Sequence, residues 1–181
     1  MERYRFHSDG AVFFTTFAVV EWLPVFVSED ACKIVVDSLN FCRRSKGLRT
    51  NAYVIMPTHM HAIFFDAAFD AKRLEKTLVD LRKFTGRELA DFCQRCMPAC
   101  FTEALRRAAG DDRERRLWQP TKHPEQLETE AFWRVKFDYL HENPCRKGMV
   151  RCAEHWKFSS AGYWLSDGRV PSEVVLSAIE W

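Results

Sequence analysis

Residues 52–65 read AYVIMPTHMHAIFF, and the pattern in this stretch decides the fold. Ala52–Met56 and His59–Phe65 are short runs of aliphatic, β-branched and aromatic side chains, and the Pro57-Thr58 pair between them is turn-prone. The stretch predicts two strands joined by a turn. Side chains alternate between the faces of a strand, so His59 and His61 share one face and Met60 points into the opposite layer.

Upstream, AVFFTTFAVV at residues 11–20 is rich in β-branched and aromatic residues and predicts a buried strand. Ser28 stands where a helix cap belongs, followed by Glu29 and Asp30 at the positive end of the helix dipole. That helix runs through ACKIVVDSLNFCRRS and stops near Gly47. A second helix is predicted over Ala71–Phe92. Leu74, Leu78, Leu81, Leu89 and Phe92 recur there at helical spacing beside Lys72, Lys76, Lys83 and Arg87, with Gly86 in the middle.

Residues 93–117 show no clear period. Around Trp118–Gln126, Pro120 and Pro124 restrict any short strand to a sheet edge. A third helix should begin near Thr129, carry Phe132, Trp133 and Tyr139, and end at or before Asn143. Pro144 biases the residue before it away from helical dihedrals. The tail, with Trp156, Tyr163, Trp164 and Trp181, should pack back on the domain. The order strand, helix, strand, strand, helix, weak strand, helix predicts an α+β fold, an antiparallel sheet covered by helices on one face. The expected organisation is a single domain over residues 1–166, with an insertion at 93–117, and a C-terminal tail at 167–181.

A chain of 181 residues, 47% of them hydrophobic and 29% charged, is large enough to bury a proper core. The formal net charge of +2 does not mark a nucleic-acid binder by bulk charge, although local basic surfaces can still act. The first residues lack the apolar run of a signal peptide, and no segment has the apolar length of a membrane span, so the expectation is a cytoplasmic protein. Seven cysteines fit a reducing compartment. Cys93, Cys96 and Cys100 offer three thiolates without an evident fourth ligand, which is weak ground for structural zinc.

Two neutral imidazoles on one strand face can present two nitrogens to a single metal ion, although such a pair can equally be exposed or simply hydrogen-bonded. In KFDYLHENPCRKGMV, Tyr139 and Asn143 lie four residues apart on one helical face, with His141 between them. If that face meets the histidine strand, the Asn143 carbonyl oxygen can be a third ligand and Tyr139 can reach a phosphate on the same ion. A phenol, with a pKa of about 10, is a weak nucleophile at neutral pH, so its target must have its charge and leaving group managed. A divalent ion does that by polarising a non-bridging phosphate oxygen.

MPTHMHAIF resembles the His-hydrophobic-His motif of the insertion-sequence-200-like single-strand transposases. DYLHENPCRKGMV with the later HWKFSS is similar to the tyrosine helix and Trp-Ser-Ser segment of their repetitive-palindrome-associated branch, and VDLRKFTGREL resembles that branch's second helix. The similarity spans most of residues 10–165. It implies a ferredoxin-like tyrosine nuclease domain that cuts and rejoins single-stranded DNA bearing palindromic hairpins through a 5′-phosphotyrosine. By the same resemblance Tyr139 is the nucleophile, His59, His61 and Asn143 hold Mg²⁺ or Mn²⁺, and the enzyme works as a monomer or a homodimer. The stretch 93–117 is longer than the compact family pattern, and Pro120–Pro124 match its fourth strand poorly.

Candidate phosphate contacts are Arg82, Lys83 and Arg87 on the second helix, Arg106, Arg107, Arg113, Arg115 and Arg116 beyond it, and Arg146 and Lys147 after the tyrosine. Such contacts supply affinity rather than sequence choice. Two other readings stay open. One is a domesticated hairpin-binding protein without catalysis, and the other is a metal-dependent hydrolase using activated water.

Overall fold

The computed structural model describes residues 2–5, 11–111, 113–120 and 124–181. Its elements are β1 (Arg3–Arg5), β2 (Val12–Ala18), α1 (Glu29–Lys46), β3 (Leu48–Met56), β4 (His59–Asp66), α2 (Ala71–Cys96), α3 (Ala99–Arg107), β5 (Glu125–Gln126), α4 (Glu130–Arg146), α5 (Ala161–Leu165) and β6 (Ala178–Glu180). Four strands form one antiparallel sheet in the order β3-β4-β2-β5. Read along the chain as β2-α1-β3-β4-α2-β5, this is the ferredoxin-like topology that the resemblance implies. β5 is only two residues long and sits at the sheet edge, where Pro124 beside it disturbs no inner ladder.

The sheet is covered on both faces, not on one. Met60, Ala62 and Phe64 of β4 join Leu74, Leu78 and Leu81 of α2 and Val35 and Leu39 of α1 in the larger core. Ile63 and Phe65 of the same strand, with Phe14 and Val54, pack instead with Leu140 of α4 and with Trp133 and Phe137 beside it. All eight residues of β4 are buried, and a strand apolar on both sides needs a cover on both sides. α4 supplies the second cover.

Gly47 ends α1 in the left-handed region at φ 74°, and the side chain of Asp70 caps α2 by accepting from the Arg73 amide at 3.0 Å. Ser28 holds the cap position of α1, but its hydroxyl makes no capping hydrogen bond. α2 passes through Gly86 without a break. A Cβ there would lie 3.3 Å from Trp118, so the glycine admits an indole whose Nε1 donates to Thr85 at 3.1 Å. The unreadable stretch contains α3, which packs on α2.

α4 starts where expected, with the Thr129 hydroxyl accepting from the Phe132 amide at 3.2 Å. It does not end at Asn143. Pro144 lies inside the helix, which continues to Arg146. Buried Leu140, His141, Asn143 and Pro144 fix this turn on the sheet, and Gly148 at φ 69° closes it. The Met149 amide donates to the Pro144 carbonyl and the Gly148 amide to Cys145, both at 2.9 Å, a paired C-cap that overrides the local bias of a pre-proline residue.

β3 carries a bulge at Asn51, the extra residue between Thr50 and Ala52. The Asn51 side chain donates to Ser177 at 3.0 Å and accepts from Trp133 at 2.8 Å, while its carbonyl accepts from Trp164 at 3.0 Å. The tail thus packs back at the bulge, and β6 pairs in parallel with β1. Among the described residues no helix is long and apolar enough to cross a membrane. Cys93 is buried with its thiol pushed up to about 11 by desolvation, whereas Cys96 and Cys100 are exposed.

Candidate active site

Alternation along β4 places His59 and His61 together on the α4 face, with ring centroids 4.7 Å apart. The two residues are 8% and 6% exposed. His61 Nδ1 meets the Thr16 hydroxyl at 2.8 Å from the paired strand β2, and His59 Nδ1 meets Thr58 of the turn at 3.0 Å. Among the described residues neither Nε2 takes a protein hydrogen bond. Burial pushes His59 down to about 4, helped by the Lys147 ammonium. It pushes His61 down to about 3, with His59 and Lys136 adding to the effect. Both imidazoles are therefore neutral near pH 7, the form that binds metals.

α4 lays its polar residues over this pair. The Tyr139 ring stands edge-on to His61 with centroids 5.4 Å apart, and edge-on to Phe14 at 6.1 Å. Phe14 in turn stacks on His61 at 5.3 Å. Tyr139 is 38% exposed, so a face of the phenol is open to a ligand. The Arg146 guanidinium lies over its ring, 5.5 Å from the centroid. Tyr139, Asn143 and Lys147 follow one another at intervals of four on one helical face. Tyr139 touches His61 and the charge of Lys147 acts on His59, so Asn143 lies between two positions that both flank the histidine pair. It is 4% exposed, and its side-chain amide takes no hydrogen bond among the described residues.

Two polar pins hold α4 in this position. Trp133 Nε1 donates to Asn51 on the bulge of β3 at 2.8 Å. His141 Nε2 meets the Ser160 hydroxyl at 2.7 Å, and that hydroxyl also accepts from the Tyr53 amide at 2.9 Å. The bonds are directional, so they fix the rotation and the axial position of the helix together.

Among the described residues no group of three or more His, Cys, Asp or Glu side chains is placed to hold a metal ion. A third protein ligand beside His59 and His61 must be of another type, and the unpartnered Asn143 amide is of that type. Two imidazole nitrogens and one amide oxygen, with positions left for water and a phosphate, fit a divalent ion.

No family model matches the sequence, and no curated protein matches it. Among solved structures, the chain is similar to a REP-associated tyrosine transposase determined bound to a REP hairpin. The two superpose with a TM-score of 0.59 over 97% of this chain and 92% of that one, at 19% identity. The chain has the fold of a tyrosine transposase.

Within this transposase fold the basic candidates divide into groups. Arg146 lies over the Tyr139 ring, and the charge of Lys147 acts on His59. Arg82, Lys83, Arg87, Arg113, Arg115 and Arg116 line one cavity of about 530 Å³ between α2 and the segment leading to Trp118, with Glu114 the acidic residue in its wall. Several of these cations are also structural, and Arg87 pairs with Glu88 at 3.2 Å. Arg82 donates to the Gln119 carbonyl at 2.7 Å and lies over the Phe17 ring, and Arg115 pairs with Asp91 at 2.7 Å. The cavity is on the α2 side of the sheet and the histidines are on the α4 side. Arg106 is exposed on α3, and Arg107 pairs with Glu21 at 2.9 Å.

Sequence reasoning passed over Thr16, Thr58, Phe14, Trp22 and Lys136, all of which stand around the site. The alternation of β2 carried a usable signal, since Phe14, Thr16 and Ala18 share the face that pairs against His59 and His61. No local pattern marks Trp22, which reaches His59 through a turn after β2.

Proposed function

We propose that the protein cuts and rejoins single-stranded DNA carrying imperfect palindromic hairpins, with Tyr139 as the nucleophile. The observation that carries this reading is the edge contact of an open tyrosine with a buried, neutral histidine pair, with the unpartnered Asn143 amide one turn along the same helix. The neighbouring transposase was determined with a REP hairpin, and this supports a hairpin as the ligand class.

The Tyr139 Oη attacks the phosphorus of the scissile phosphodiester. An O–P bond forms as the P–O3′ bond breaks, the phenolic proton passes to solvent, and the departing 3′ oxygen takes a proton from solvent. The 5′ phosphate stays on Tyr139, so the bond energy is kept for rejoining. In the reverse step a 3′ hydroxyl attacks the phosphotyrosine and Tyr139 recovers its proton. Mg²⁺ or Mn²⁺ held by His59, His61 and Asn143 would supply Lewis-acid polarisation of a non-bridging oxygen. With each Nδ1–H donating to its threonine hydroxyl, Thr16 and Thr58 fix the tautomer that leaves the Nε2 lone pairs free. Arg146 and Lys147 attract the phosphate, and the basic cavity on the opposite face receives the backbone of the hairpin stem.

Covalent capture on labelled hairpin oligonucleotides with Mg²⁺ or Mn²⁺ tests the reading. Wild type should yield a denaturation-resistant protein–DNA adduct, absent in Tyr139→Phe and in a His59→Ala/His61→Ala double variant. Cleavage that survives Tyr139→Phe would assign the reaction to activated water. Hairpin binding without cleavage across a broad substrate set would leave a binding protein.

A further inference from the structure

The six described tryptophans are not all held in the same way. Trp118, Trp133, Trp156 and Trp164 each donate the indole N–H to a protein acceptor. Trp22 makes no such bond, belongs to neither core cluster and is 56% exposed. Its ring stands edge-on to His59, with centroids 5.8 Å apart and an interplanar angle of 84°.

The backbone that presents it is unusual. Glu21 and Trp22 are consecutive non-glycine residues in the left-handed region, at φ 51° and 54°. A bulky residue there is an outlier that surrounding structure must hold in place. Here the holding contacts are on both sides. The Val20 amide donates to the Leu117 carbonyl at 2.8 Å, the Trp22 amide to Val19 at 3.1 Å, and Glu21 pairs with Arg107 of α3. One role of the segment between α2 and β5 is thus to fix an exposed indole beside the histidine pair.

Strand register gives its side of the site. On β2, Phe14 pairs opposite Ile63, Thr16 opposite His61 and Ala18 opposite His59, and Trp22 follows beyond Ala18. Tyr139 touches Phe14 and His61, at the other end of this row. A phosphate seated at the histidine pair therefore has the tyrosine at one end and the indole at the other. In an in-line displacement the attacking and leaving oxygens are on opposite sides of phosphorus. The Trp22 end is the leaving end.

We propose that Trp22 stacks on the base of the nucleotide whose 3′ oxygen leaves, and so keeps the departing strand in place for rejoining. This rests on the tyrosine nuclease reading above. Stacking of an unpaired base on an aromatic side chain is tolerant of sequence, which suits a site that must hold a strand end without reading it.

The test uses the full chain and a hairpin oligonucleotide whose cleaved bond has been mapped from the wild-type adduct. Affinity is measured in a Tyr139→Phe background so that no turnover intervenes, and the ratio of rejoined to released 3′ strand is measured with Tyr139 intact. Trp22→Ala should weaken binding by between about 5-fold and 150-fold, with Trp22→Phe recovering part of the loss. It should still form the adduct but release more of the 3′ strand. An abasic nucleotide just 5′ of the cleaved bond should reproduce the loss in wild type and add nothing in Trp22→Ala. Unchanged affinity and rejoining in Trp22→Ala would overturn the proposal, as would losses that simply add. A response to the abasic nucleotide on the 3′ side only would overturn the assignment of the leaving end. If wild type forms no adduct on Tyr139, the nuclease reading itself fails, and the role of Trp22 falls with it. Thermal melting separates these outcomes from misfolding, since an exposed side chain should leave the transition nearly unmoved.

Discussion

Acidification should loosen the helix that carries Tyr139, and His141 provides the handle for measuring it. This residue is 7% exposed, and its Nε2 is bonded to Ser160. Burial pushes it down to about 3, against an ordinary value of 6.5. Because the folded value is the lower one, the unfolded chain binds more protons in this window. The stability contributed by neutral His141 is complete above pH 6.5 and is lost as pH falls from there towards 3. At pH 5 the unfolded histidine is protonated and the folded one is not. About one and a half pH units at about 1.4 kcal/mol each give a loss of about 2 kcal/mol. Urea unfolding at pH 7.5 and pH 5 measures it. His59 and His61 add slopes of the same sign, so the informative quantity is the difference between wild type and His141→Gln, which keeps an amide donor near Ser160 but cannot titrate. Wild type should lose about 2 kcal/mol more than the variant between the two pH values. Equal losses in the two proteins would refute the reasoning and show that His141 is solvated or charged in the folded state.

Two further outcomes follow from the same geometry. Thr16→Val removes the hydroxyl that orients the His61 ring, and Mn²⁺ affinity measured by calorimetry should fall by about 10- to 100-fold with little change in melting temperature. Gly148→Ala places a Cβ at φ 69° where nothing lies within 4 Å, so its cost is conformational alone. Thermal unfolding should show a loss of about 1–2 kcal/mol, and a neutral result would mean that the C-cap of α4 rearranges freely.

The parts of this fold that the sequence made legible are those with strong local periods. The paired runs before and after Pro57-Thr58, the helix stopped by Gly47 and the leucine-spaced helix beyond Ala71 all form, with β3 beginning four residues earlier than expected, at Leu48, and α2 running four residues further, to Cys96. The parts that were not legible depend on partners distant in sequence. Gly86 looks like a flaw until Trp118 is packed against it. Pro144 looks like a stop until the buried turn around it and the cap at Gly148 are seen. Placing α4 on the second face needed one global argument, that a strand as apolar as β4 must be covered twice. At the site, the histidines, Tyr139 and Asn143 announce themselves by residue type and spacing. Thr16 and Trp22 do not, because an ordinary threonine and an ordinary tryptophan acquire their place only through sheet register and a turn held by α3.

β4 lies between β3 and β2, with every residue buried, and it carries both histidines. Interactions there are shielded from dissolved ions, while mobile counter-ions reach cations at an open surface within a screening length of about 8 Å at physiological ionic strength. One DNA molecule spanning both faces would thus be held by two grips of different character. If the proposed stem and cleavage grips act on one DNA, rising ionic strength should weaken the arginine-lined cavity first, whereas contacts to the buried His59 and His61 should respond less.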